Sequence, residues 1–168
     1  MLFRSPSIGS RNLTASLGTR NLTGDRDSLL ASLTRSNTGG SNLLNLSYQR
    51  ILNPQQGTLL LRVAPSRYRI TEAGLQDLDI TGASSLYEIA IRQPLIHRPN
   101  TELALSVGIV KRSGQTLVSD FLTNSNATTV LRFGQDWLRR DSGGLWTAQS
   151  QFNLGTTQSE NQIGRAHV

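Results

Sequence analysis

Leu103-Ala104-Leu105-Ser106-Val107-Gly108-Ile109 carries a large aliphatic side chain at every odd position and a small residue at every even one. Extended backbone sends successive side chains to opposite faces, so the stretch reads as a strand with one oily side. The same period of two recurs along the chain. It runs through Leu13, Ala15 and Leu17, then Leu29, Ala31 and Leu33, then Leu44, Leu46 and Tyr48, then Leu59, Leu61 and Val63. It returns in Tyr87, Ile89 and Ile91, in Leu131, Phe133 and Trp137, and in Trp146, Ala148, Phe152 and Leu154. The intervening residues are mostly Asn, Thr, Ser, Gln, Gly and Arg. About eight such runs, separated by turn formers, predict an all-β antiparallel meander. The pattern matches a transmembrane β-barrel wall, apolar toward lipid and polar toward a wet lumen. The residues expected to face lipid are Leu13, Leu17, Leu46, Tyr48, Leu59, Leu61, Tyr87, Ile89, Ile91, Leu103, Leu105, Val107, Phe133, Trp137 and Trp146.

Composition narrows the class. Only 36% of the 168 residues are hydrophobic, too few for a two-layer packed core and suited to a wall one residue thick. A disordered chain has no reason to keep a period of two. There is no Cys, which rules out a disulfide framework and a thiolate metal site. The net charge is +6, but the arginines are scattered over turns and polar strand faces. No basic block interleaved with aromatics appears, so a nucleic-acid partner is not expected. No run of 18 apolar residues occurs, so no helix is expected to cross a bilayer. Residues 1–5 lack the apolar core of a signal peptide and read as a non-native leader, residues 6–157 as barrel, and 158–168 as a tail.

Turn formers punctuate the runs. Asn21-Leu22-Thr23-Gly24-Asp25, Asn37-Thr38-Gly39-Gly40-Ser41, Asn53-Pro54-Gln55-Gln56-Gly57, His97-Arg98-Pro99-Asn100 and Arg140-Asp141-Ser142-Gly143-Gly144 are short connections. Arg69–Ser84 and Arg112–Asn126 read as long polar ones. Outer-membrane barrels keep short turns on the periplasmic side and longer loops outside. This assigns 21–25, 53–57, 97–100 and 140–144 to the periplasm, and 37–41, 69–84 and 112–126 to the exterior. The strands between are expected to be roughly 9–11 residues long, enough for a tilted crossing.

Several stretches resemble the barrel of two-partner secretion transporters, the TpsB-type family of hemolysin and filamentous-hemagglutinin secretion/activation proteins. They are Asp77-Leu78-Asp79-Ile80 followed by Tyr87-Glu88-Ile89-Ala90-Ile91-Arg92-Gln93-Pro94-Leu95-Ile96, with Ser5-Pro6-Ser7-Ile8-Gly9-Ser10 and Thr101-Glu102-Leu103-Ala104-Leu105. Leu131-Arg132-Phe133-Gly134-Gln135-Asp136-Trp137 and Ala148-Gln149-Ser150-Gln151-Phe152-Asn153-Leu154-Gly155 continue the likeness. The resemblance implies a sixteen-stranded barrel behind two periplasmic POTRA domains, which bind an unfolded exoprotein that the barrel passes outward. The family's arginine-containing lumenal-loop motif has no counterpart here, and neither do the POTRA domains. The implied reading is about half of an outer-membrane barrel, starting in the first external turn, monomeric in its full-length form. Its partners would be the secreted exoprotein and outer-membrane lipid.

The polar face supplies the candidate site residues: Arg62, Glu88, Arg92, Arg132 and Asp136. Two roles fit them, a charged lumen that a passing polypeptide does not stick to, and cross-strand pairing that holds register. No nucleophile or metal cluster accompanies Glu88 and Asp136, so no catalytic role, cofactor or metal is expected. His97 stands alone in its turn. Glu72, Asp77 and Asp79 lack the spacing of a calcium loop. Trp137, Trp146 and Tyr87 suit the aromatic girdles at the bilayer interfaces. Two other architectures fit the pattern: a complete small eight-stranded barrel, and a soluble β-sandwich binding module, which requires a second sheet over the apolar face.

Overall fold

A computed structural model of the chain describes residues 11–70, 79–119 and 121–160. Eight strands form one antiparallel sheet in chain order. They are β1 (Asn12–Arg20), β2 (Ser28–Ser36), β3 (Ser41–Ile51), β4 (Thr58–Arg69), β5 (Ile80–Arg98), β6 (Thr101–Val118), β7 (Phe121–Asp141) and β8 (Gly144–Glu160). The sheet is open, with β1 and β8 at its edges. A closed eight-stranded barrel and a two-sheet sandwich are therefore not what the described residues form.

Register joins the short apolar runs into one surface. Directly opposed residues of an antiparallel pair share a face. Leu17 opposes Ala31, Ala31 opposes Leu46, Leu46 opposes Val63, and Val63 opposes Tyr87. Farther along, Ile91 opposes Val107, Val107 opposes Phe133, and Phe133 opposes Phe152. All fifteen residues expected on the apolar side lie on this one face. Phe133 and Phe152 meet at a ring-centroid distance of 6.5 Å.

Two expectations about the connections fail. Arg112–Asn126 is not a loop: β6 runs to Val118 and β7 restarts at Phe121. The 69–84 connection likewise shrinks to residues 70–79. β5, β6 and β7 reach 19, 18 and 21 residues, about twice a bilayer crossing. The physical reason is that the ladder needs only backbone groups. Where both faces meet water the hydrophobic period vanishes, yet Ser85 still opposes Ser113, with their hydroxyls 2.7 Å apart. His97 is also in β5 rather than a turn, and the β5–β6 connection is Pro99-Asn100 alone.

The sheet curls toward its polar side. Val110 and Ala104, on that face, are 3% and 0% exposed, while Val107 and Ile109 on the opposite face are each 48% exposed. Curvature crowds side chains on the concave surface and spreads them on the convex one. Six of the seven strand glycines described (18, 82, 108, 114, 134 and 155, but not Gly144 at the start of β8) belong to the crowded face. At Gly82 the need is explicit: a Cβ would overlap the ring of Tyr68, which lies across it to set its hydroxyl 3.3 Å from that of Thr116. Pro94 brings the one shift in the β5–β6 ladder, placing Leu95 in a bulge.

The β1–β2 connection is held by Asp27. Its Oδ1 accepts the Thr23 N–H at 3.1 Å, and Asn21 N–H donates to its carbonyl at 2.6 Å. Burial raises the pKa of the Asp27 carboxyl. The Thr23 N–H and the nearby Tyr48 and Thr23 hydroxyls outweigh that, leaving it below the ordinary carboxylate value.

Candidate functional site on the polar face

The five charged residues singled out from the sequence all stand on the concave face, and the structure sorts them into three groups. Arg132 of β7 donates from Nη1 to Glu88 Oε1 of β5 at 3.3 Å, reaching over β6. Gly108 stands directly opposite Arg132. A Cβ on Gly108 would lie 2.9 Å from Ala90 Cβ. Arg92 is the centre of the second group. Its Nη2 donates to Glu102 Oε1 at 2.5 Å, and its Nε lies 3.6 Å from Asp136 Oδ2. Arg62 stands apart. It opposes Glu88 in the ladder, but its Nε donates to Asn45 Oδ1 at 2.9 Å.

Cross-strand pairing thus involves four of the five, and the pairs reach over strands as well as between neighbours. Glu88 and Asp136 do not meet. They oppose Val110 and Ala104, six residues apart on β6, which is roughly 20 Å of strand. Each is tied to its own guanidinium.

Sequence reasoning missed Glu102 and misplaced His97. Glu102 joins Arg92 and His97, whose Nδ1 lies 3.5 Å from its Oε2. Its parity is the signal that would have found it, since Glu102 shares a face with Ala104 and Ser106. Asp79, weighed as a calcium ligand, instead pairs with Arg69 at 3.3 Å. Glu72 and Asp77 lie outside the described residues, as do 1–5, the Ser5–Ser10 stretch and 161–168.

Chemically, this surface offers paired carboxylates, while Arg62 and Arg112 have no acidic partner among the described residues. The carboxylates already accept from guanidinium groups, and hydroxyl pairs such as Ser66–Ser84, at 2.7 Å, satisfy each other. A face of this kind wets well.

No family model and no curated protein matches the chain. Among solved structures, CdiB from Escherichia coli matches with a TM-score of 0.75 and 18% sequence identity. The match covers 96% of this chain and 30% of CdiB. The likeness is one of fold: an open antiparallel eight-stranded meander similar to part of CdiB. The chain spans about a third of the length of the structure it matches.

Proposed function

We propose that this sheet is a wall segment of an outer-membrane barrel that exports polypeptide by two-partner secretion. The single observation that supports it most is the unbroken apolar face. It crosses all eight strands, remains open in the structure, and has no second layer over it among the described residues. Side chains such as Ile89, Ile91, Val107 and Ile109 side by side need a nonaqueous cover, and hydrocarbon supplies it. The likeness to CdiB, a TpsB-type transporter, and the sequence stretches similar to that family favour export over an adhesive or purely structural barrel.

In this reading the secreted exoprotein moves along the concave face as a passive passage. It needs no catalytic group, cofactor or metal from this chain. The 21–27, 52–57, 99–100 and 142–143 connections face the periplasm. The long ends of β5, β6 and β7 project outward.

The absence of native Cys makes the test direct. Single cysteines at Ser106 and Val107, adjacent in β6, are placed in outer-membrane preparations and exposed to a charged maleimide. Ser106→Cys should label and Val107→Cys should not until detergent is added. Equal labelling of both before detergent overturns the membrane reading.

A further inference from the structure

Charges on the apolar face occur only at its two margins, and the margins differ. At the periplasmic margin, Arg50 pairs with Asp25 at 2.6 Å and Arg139 lies 3.9 Å from Asp141, while Arg98, in the Arg139 row, has no acidic partner among the described residues. At the outer margin, Arg69 pairs with Asp79 at 3.3 Å, while Arg35, Arg67 and Lys111 have no acidic partner among the described residues. Arg35 and Arg67 flank Asn42 in one cross-strand row, roughly 10 Å apart across two strand spacings. No acidic side chain stands in that row from β1 to β7. Beside it lies a groove of about 520 Å³, with Leu33, Leu44 and Pro65 on one wall and Arg67, Ser85 and Ser113 on another. Small residues on β5, β6 and β7 at this height leave the surface recessed where larger ones would fill it.

We infer that this groove and its cations dock a phosphorylated glycolipid of the outer leaflet. The inference rests on the membrane reading above. Charge complementarity selects the occupant. Two guanidinium groups in one row and, about four residues along β6 from it, an ammonium, none with an acidic partner among the described residues, call for phosphate groups at the edge of a hydrocarbon-facing surface. The apolar wall receives the first methylenes of the acyl chains, and Ser85, Ser113 and Asn42 offer hydrogen bonds to the sugar. Arginine suits the role because its fork binds phosphate in two places at once. At the opposite margin Arg50 and Arg139 have carboxylates of their own.

The test uses the full chain in a neutral detergent that preserves its sheet signal in circular dichroism. Bound lipid is counted by native mass spectrometry during titration with a bis-phosphorylated acylated glucosamine disaccharide, with phosphatidylglycerol, or with inorganic phosphate. The glycolipid should bind, and Arg35→Gln/Arg67→Gln should bind it about tenfold more weakly. Lys111→Gln should weaken it less. Arg50→Gln/Arg139→Gln, at the other margin, should leave it unchanged. Equal binding by both double variants overturns the inference, as does phosphatidylglycerol or free phosphate binding as tightly as the glycolipid. If Arg35→Gln/Arg67→Gln does not form a sheet, undiminished binding by Lys111→Gln overturns it. Sheet formation without glycolipid binding defeats the lipid site alone. Failure to form any sheet in detergent removes the membrane reading and this inference together.

Discussion

Single residues carry strain and relief in this sheet in ways that parity alone does not show. Tyr68, Gly82 and Thr116 form one row over three strands. The ring occupies the space that a side chain at 82 would need, so aromatic and glycine work as one unit. Gly82→Val forces the ring off its rotamer or the strands apart. We expect it to cost about 1–3 kcal/mol. Tyr68→Phe keeps the ring and loses only the 3.3 Å contact to Thr116, so it should cost about 1 kcal/mol or less. Urea titrations in vesicles would measure both, and a Gly82→Val loss no larger than that of Tyr68→Phe would refute the packing argument. Of this residue-scale detail, the sequence shows little. Arg62, Glu88, Arg92, Arg132 and Asp136 could be put on one face, but their partners depend on side-chain reach and on where glycine leaves room. Arg62 bonds Asn45 and not the Glu88 directly opposite it.

At the scale of strands, depth decides what a substitution costs. The rows Ile89–Ile109–Leu131–Leu154 and Ile91–Val107–Phe133–Phe152 are wholly apolar. Leu105 lies in a different kind of row, between Gln93 and Gln135, one step from the Trp137 row. Val107→Arg and Ile89→Arg should therefore cost about 2–4 kcal/mol, and Leu105→Arg distinctly less. Arg62→Ala, on the concave face, should cost about 1 kcal/mol or less. Equal losses at Val107 and Arg62 in the same vesicle titration would contradict the face assignment. The apolar middle of each strand was legible because one face there is apolar and the other polar, so residues alternate along the strand. The outer ends of β5, β6 and β7 were not, because strands in water on both sides need no alternation.

For the whole molecule, the unpaired edges matter most. Among the described residues β1 and β8 each have no strand along one side, a template for further strands. A cysteine pair at Ser16 on β1 and Asn153 on β8 should stay uncrosslinked under mild oxidation. A pair at Ser85 and Ser113, whose hydroxyls are 2.7 Å apart, should close readily. A fast crosslink between β1 and β8 within one chain would mean that eight strands close on themselves.

By itself the sequence determined the class of fold, the two faces and the order of the strands. A period of two is imposed locally by extended backbone, and meander connections between neighbouring strands are short. Only the tertiary structure decided how far the outer ladders extend, which charges pair across strands, and that the sheet curls toward its polar side. These depend on non-local register and on the space between side chains on different strands, which no single stretch of sequence records. The unpaired cations of the outer margin belong to the same group. Arg35 and Arg67 are 32 residues apart in the chain and become neighbours only when β2, β3 and β4 are laid in register.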